Sequence, residues 1–153
     1  MLFFLLRTAL PILLPSAVAW AERTAAASCV SGRPLSAGEL ALAREVGVHQ
    51  PERIRLLIVD EMPRPQHLLL RAAARAAGFL GRGTTGLTLG HAVLVLRGHA
   101  TVRLYSHEFR HVRQYEQAGS IAAFLREYFH QVLAHGYWRA PLEVDARRHE
   151  IVR

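Results

Sequence analysis

Residues 107–111 read His-Glu-Phe-Arg-His, an H-E-x-x-H pattern inside a segment whose spacing predicts a helix. On a helix, His107 and His111 lie one turn apart on the same face, so both imidazoles can reach one Zn²⁺. Glu108 is too close to the first histidine to ligate easily, and is placed instead to hold the water on the metal and take its proton. The metal lowers the pKa of that water towards about 7. The pattern predicts a zinc site; the alternative is two histidines on a helix face with Glu108 paired to Arg110 or Arg113.

A catalytic zinc site normally has three protein ligands and one open position, so a third ligand is expected elsewhere in the chain. Glu143 is the preferred candidate. It starts the short helix that Pro141 introduces, and the long helix between it and His111 lets the chain return antiparallel. The helix dipole also favours a carboxylate there by up to about 1 kcal/mol, which is compatible with ligation. Asp145 is the alternative: it would be the third ligand, or it would orient a ligand histidine.

The sequence around the motif predicts an α+β fold. Thr101 and Gly119 are suited to cap the helix that carries the motif. Two short strand-like segments, with Gly90 as a bend between them, come just before that helix, and two helices follow it. The predicted helices cover residues 37–46, 67–77, 102–118, 121–134 and 142–149, and the predicted strands cover residues 54–59, 87–89 and 92–96.

Longer stretches of the chain resemble a known group. Residues 107–116, H-E-F-R-H-V-R-Q-Y-E, followed by P-L-E-V-D-A at 141–146, are similar to the small bacterial H-E-x-x-H-V-x-Q-Y proteins of the gluzincin type. These are minimal relatives of thermolysin-like zinc peptidases, and the same core occurs in domains attached to extracellular contractile injection systems. Residues 86–96 resemble the edge strand beside the substrate cleft of that group.

The resemblance covers roughly residues 34–150 and implies a minimal zincin-like fold, with an edge strand followed by an active-site helix and C-terminal helices. It also implies His107, His111 and Glu143 as zinc ligands and Glu108 as the catalytic base. The expected partner is a peptide or protein substrate, which can pair with the edge strand by β-augmentation.

A developing oxyanion needs a hydrogen-bond donor beside the metal. Tyr137 is the candidate for this stabilising role. Because it is followed by Trp138, it can instead belong to a packed aromatic cluster.

The N-terminus reads as a targeting segment. Residues 1–21 are apolar apart from Arg7, contain Pro11 and Pro15, and end in Ala-Trp-Ala, an A-x-A pattern suited to signal peptidase. A signal peptide over 1–21 predicts a secreted or periplasmic protein, whereas an uncleaved segment would be a membrane anchor. Residues 22–33 are expected to form a flexible lead-in, and residues 34–153 the folded domain.

The amino-acid composition excludes some classes of function. A chain of 153 residues with 51% hydrophobic residues has room for one ordinary domain, and the single Cys29 excludes an intramolecular disulfide. All 19 basic residues are arginines, and they are dispersed along the chain without a nucleic-acid motif, so no nucleic-acid partner is expected. Two hypotheses remain: a zinc metallopeptidase, or a zinc-binding interaction or secretion-associated module without proteolytic activity.

Overall fold

The structure is a computed structural model that describes residues 2–76, 78, 80–81 and 83–153, with side chains from Thr8 onward except that of Ala76. Met1 and Ala77, the outer ends of the predicted signal segment and of the predicted helix over 67–77, lie outside the described residues. The helices are α1 (Leu2–Ser31), α2 (Ala37–Glu45), α3 (Leu68–Ala76), α4 (Val102–Ala118), α5 (Ile121–His135) and α6 (Pro141–Arg148). The strands are β1 (Arg33–Pro34), β2 (Arg55–Val59), β3 (Gly86–Leu89) and β4 (Ala92–Leu96).

The four strands form one small mixed sheet in the order β1-β2-β4-β3. The β2–β4 pairing is parallel, and β3 runs antiparallel to β4 with Leu87 opposite Leu94. The bend between β3 and β4 is made at Gly90, whose φ of +64° is in the left-handed region. Strand β3 is therefore an edge strand that leads, through β4, directly into α4. The predicted α+β class is confirmed.

Both faces of the sheet are covered by helices. On one face, Leu56, Val93 and Val95 pack with Phe109 and Val112 of α4 and with α2. On the other face, Leu94 belongs to a cluster with residues of α1 and α5. Helix α4 thus has its centre fixed in the core by a fully buried Phe109, whose truncation to alanine would cost about 3–5 kcal/mol. This anchoring holds the H-E-x-x-H face in a defined orientation.

The helix limits follow from local chemistry that the sequence already shows. The Thr101 side chain accepts a hydrogen bond from the backbone of Leu104, and Gly119 ends α4 with a φ of +85°. Ser36 and Glu39 form a reciprocal capping box at the start of α2. Each predicted helix and strand is present, and among the described residues its limits agree with the prediction or differ by one residue.

Residues 22–31 differ from the prediction. They form the C-terminal part of α1, where a flexible lead-in over 22–33 was expected, and residues 33–34 form β1. The physical reason is that α1 contacts the sheet through small side chains. Ala21, Ala25 and Ser28 fall at helical spacing and are buried, so α1 approaches the sheet closely without a visible stripe of large apolar residues.

Within the part of the chain whose residues are described, no helix is long and apolar enough to cross a membrane. Helix α1 passes without interruption through Pro11, Pro15 and the A-x-A pattern that ends at Ala21. Cleavage after Ala21 stays a prediction.

Candidate metal centre

The two histidines of the motif converge on one point. His107 and His111 lie on the same face of α4, and their Nε2 atoms are 3.1 Å apart. Two Zn–N bonds of about 2.0–2.1 Å in tetrahedral geometry place their nitrogens about 3.3–3.4 Å apart. The spacing of the imidazoles therefore matches that of two ligands of one ion.

Helix α6 brings Glu143 to the same point. Its Oε2 lies 3.5 Å from Nε2 of His107, and its Oε1 lies 3.5 Å from Nε2 of His111. One donor atom from each residue lies within 4.8 Å of the other two, so the three residues form a group that could hold a metal ion. The sequence prediction that these three residues meet is confirmed as geometry.

One oxygen of Glu143 has no hydrogen-bond partner. The residue is 2% exposed, and Tyr128 donates to Oε1 at 2.8 Å, but Oε2 is buried without a hydrogen bond from any described residue. A buried acceptor left in this way costs about 1–3 kcal/mol, and more when it is charged. A cation held between Glu143 and the two histidines would satisfy this oxygen, so the donor set fits a metal ion.

Neighbouring groups in this cluster outweigh the effect of burial on the pKa values of Glu143 and His107. Burial alone would raise the pKa of Glu143, but the neighbouring His107, His111 and Tyr128 outweigh it and lower that pKa. Burial likewise lowers the pKa of His107, yet the adjacent Glu143 and Glu108 carboxylates outweigh it and raise that pKa. Glu143 is therefore an anion at neutral pH, as a metal-ligating carboxylate must be.

Each histidine is oriented through its other ring nitrogen. Nδ1 of His107 lies 3.0 Å from Oε1 of Glu150, whose other oxygen accepts from Arg103 at 2.5 Å. Nδ1 of His111 lies 2.8 Å from Oε1 of Gln114. A carboxylate or amide oxygen accepts from an Nδ1–H, which leaves the lone pair on Nε2 facing the centre.

Asp145, the alternative third ligand, has its carboxylate hydrogen-bonded to other residues. Its carboxylate accepts from Arg110 at 2.7 and 3.0 Å and from Nε2 of Gln114 at 2.8 Å. Because the Gln114 amide group donates to Asp145 and to the carbonyl of Leu142, its oxygen must face His111. Asp145 thus contacts His111 indirectly, through Gln114, which agrees with the second of the two roles that the sequence left open.

Glu108 sits beside the metal-binding group without belonging to it. The hydroxyl of Thr88 on β3 donates to Oε2 of Glu108 at 2.7 Å. The backbone of Gly86 approaches so closely that an added Cβ would lie 2.3 Å from Oε1. Strand β3 therefore fixes the position of this carboxylate, and a side chain at position 86 would displace it.

A cavity of about 60 Å³ joins these groups, lined by His107, His111, Glu143, Glu108 and Tyr137 among others. This volume exceeds the roughly 10–15 Å³ that a water molecule requires. His107, Glu108 and Tyr137 also line a neighbouring groove of about 660 Å³, so they stand between the buried cavity and open surface. Burial and the nearby charges of Glu143 and Glu108 raise the pKa of Tyr137, which keeps its hydroxyl protonated as a donor.

The groove reaches the start of β3 at Gly86. The backbone N–H of Leu96 donates to the carbonyl of Thr85, and antiparallel pairing alternates from there. The backbone groups of Gly86 and Thr88 therefore point away from β4, beside the cavity. An extended peptide in the groove would meet the backbone of Gly86, whereas Thr88 lines the buried cavity.

Sequence reasoning missed several supporting residues. Glu150 and Gln114 were not assigned to the histidines, and Thr88 and Tyr128 were not connected to Glu108 and Glu143. Glu150 lies two residues beyond the end of α6, so helical spacing from Glu143 does not place it. Tyr128 is one member of an apolar stripe on α5, and its position in the sequence carries no sign of this role.

Comparison with protein-family models, with curated proteins and with solved structures finds no match to this chain.

Proposed function

We propose that this chain is a zinc metallopeptidase with a minimal zincin-like fold of the gluzincin type. The observation that carries the proposal is the convergence of His107, His111 and Glu143 around a buried carboxylate oxygen that accepts no hydrogen bond and that Arg147 approaches only to 3.6 Å. Two imidazoles and one carboxylate are a ligand set used by catalytic zinc. Bound zinc supplies a Lewis acid that makes water nucleophilic at neutral pH.

The other residues at the site have roles that fit peptide hydrolysis. Glu108 accepts the proton of the attacking water, and Thr88 holds its carboxylate in place. Tyr137 donates from the cavity wall to the developing oxyanion. The outward backbone groups of Gly86, which lines the groove, pair with an extended peptide.

The topology supports the same proposal. The antiparallel edge strand β3 lies against the helix that carries the motif, and Glu143 returns from a later helix. This is the arrangement that the resemblance to the small gluzincin-type proteins implies.

The test uses the full chain of 153 residues. We expect about one zinc per chain by elemental analysis, and cleavage of a diverse peptide mixture followed by mass spectrometry. Glu108→Gln should keep the zinc and lose cleavage, because a neutral amide cannot accept the proton. Absence of zinc would refute the proposal, and so would unchanged cleavage by the variant. Zinc binding without any cleavage would favour the non-proteolytic module of the same fold.

A further inference from the structure

Trp138 is a large aromatic residue that the fold leaves at the surface. The sequence allowed Tyr137 and Trp138 to belong to a packed aromatic cluster, but Trp138 is 74% exposed. It lies in a one-turn helix, Tyr137–Arg139, that follows Gly136 at the end of α5. Tryptophan side chains are on average largely buried, because much of their surface is apolar. The indole of Trp138 therefore has apolar surface available for a ligand.

The exposed ring lies beside the candidate metal centre. Trp138 lines the groove of about 660 Å³ together with His107, Glu108 and Tyr137. These three residues also line the cavity at the metal centre, so the groove and the cavity share a wall. A peptide bound in this groove with its scissile bond near Glu108 can therefore place one of its side chains against Trp138.

Two neighbours hold the ring of Trp138 in place. The guanidinium carbon of Arg147 lies 5.2 Å from the ring centroid, which is within the range of a cation–π contact. Tyr137 meets the same ring edge-to-face, with the two centroids 5.7 Å apart. Arg147 is itself positioned, because it donates to the carbonyl of Trp138 and its Nη1 lies 3.6 Å from Oε2 of Glu143. A ring that is ordered before the ligand arrives loses less entropy on binding.

The chemistry of this part of the groove favours an aromatic ligand over a charged one. Arg147 and Arg103 both line the groove, but Arg147 contacts Glu143 and the Trp138 ring, and Arg103 is paired with Glu150. Neither arginine is therefore free of a partner that an acidic side chain would have to displace. The indole, in contrast, can stack with a second aromatic ring, and such pairs add binding free energy beyond the area that they bury.

We propose that Trp138 is a specificity-determining residue that selects peptides carrying an aromatic side chain over peptides carrying an aliphatic one. The aromatic side chain packs on the exposed part of the indole while the peptide backbone lies in the groove. An aliphatic side chain of similar size buries a similar area but lacks the ring–ring contact. This inference rests on the proposed function for its occupant, a peptide, and it adds the class of substrate.

The experiment measures peptide binding separately from cleavage. Full-length Glu108→Gln is titrated into fluorescently labelled peptides of glycine and alanine that carry one phenylalanine, one leucine or one glutamate, and anisotropy is recorded. We expect the phenylalanine peptide to bind about three- to tenfold more tightly than the leucine peptide. Adding Trp138→Ala should remove this difference, whereas adding Trp138→Phe should retain most of it, because a phenyl ring still stacks.

A matched control separates the role of the ring from a general loss of apolar surface. Leu69 is 66% exposed and does not line the groove, so adding Leu69→Ala should leave the preference for phenylalanine unchanged. Circular dichroism and zinc content should also be unchanged by Trp138→Ala, because the side chain is exposed and is not one of the three residues of the metal-binding group.

Equal binding of the phenylalanine and leucine peptides would overturn the inference, and so would a preference for phenylalanine that survives Trp138→Ala. Tightest binding of the glutamate peptide, or no binding of any peptide, would overturn it as well. Cleavage of all three peptides by wild type, without a preference for phenylalanine in binding, would leave the proposed peptidase intact and remove the role of Trp138. A preference that depends on Trp138, without cleavage by wild type, would refute the peptidase and support the role of Trp138.

Discussion

The carboxylate of Glu150 lies 3.0 Å from Nδ1 of His107 and is itself held by Arg103. This contact turns one imidazole so that its other nitrogen faces His111 and Glu143. It joins the end of the chain to α4, because Glu150 is two residues beyond the last residue of α6.

Replacing Glu150 should therefore weaken metal binding without removing a ligand. We expect Glu150→Ala to lower zinc affinity by about 10–100-fold, and Glu150→Gln to lower it less because the amide oxygen still accepts from Nδ1–H. Competition with a chromophoric chelator measures both. Glu127→Ala, an exposed carboxylate on α5, is the matched control. Equal zinc affinity for Glu150→Ala and the control would disprove the orienting role.

Glu143 and Asp145 should respond differently to truncation. Glu143→Ala removes a donor atom from the three-residue group and is expected to abolish tight zinc binding. Asp145→Ala should lower zinc affinity only moderately, since Asp145 acts through Gln114. The same chelator competition compares the zinc affinities of the two variants. A larger loss of affinity in Asp145→Ala would identify Asp145 as the third ligand.

A methyl group at position 86 should separate catalysis from metal binding. In Gly86→Ala the new Cβ would meet Oε1 of Glu108 at 2.3 Å, so the carboxylate must move. We expect unchanged zinc content and a loss of peptide cleavage of at least about tenfold, because a displacement of about 1 Å at a reacting group can cost 100-fold. Gly38→Ala on α2 meets no atom of the described residues within 4 Å and should behave as wild type. Full activity in Gly86→Ala would contradict the assigned position of Glu108.

The packing of α1 predicts a stability difference between two alanines of the same helix. Ala21 is buried in the core, so Ala21→Leu should destabilise the fold by about 1–3 kcal/mol through overpacking. Ala27→Leu places the same side chain on the exposed face and should change stability by less than about 0.5 kcal/mol. Urea denaturation of the full chain measures both. Equal stabilities would mean that α1 is not packed in the core at Ala21.

An ion pair remote from the metal centre should make stability depend on acidic pH. The hydrogen bond from Arg33, aided by Ser36 and opposed by burial, lowers the pKa of Glu39 to about 2. A lowered folded-state pKa stabilises the protein above the unfolded pKa of about 4.3, and this contribution is lost as the pH falls towards 2. Glu39→Gln should cost less than about 1 kcal/mol at pH 7, since the pair is partly exposed.

The difference between Glu39→Gln and wild type should shrink as the pH falls from about 4.3 towards 2. Denaturation at a series of pH values checks this, and a difference that stays constant over that interval would exclude Glu39 as its source.

Local sequence patterns were sufficient for most of the secondary structure. The caps at Thr101 and Gly119 and the Ser36–Glu39 capping box involve only residues close in sequence. The limits of α2 and α4 could therefore be predicted from the sequence. Helix α1 could not be read beyond Ala21 in the same way. Its contact with the sheet uses Ala25 and Ser28, and small residues give no hydrophobic periodicity.

The candidate metal centre was likewise predictable only where its contacts are local in sequence. The sequence by itself determined that His107 and His111 share one helix face, because a separation of four residues fixes that geometry within a single helix. Only the tertiary structure decided that Glu143 completes the group while Asp145 binds Arg110, and that Glu150, Gln114 and Thr88 hold the functional side chains. These contacts join α4 to β3, α6 and the C-terminus. Their partners are set by how the helices pack on the sheet. Glu143 and Asp145 are two residues apart on α6 and face different ways, so the packing of α6 against α4 decides which of them meets the histidines.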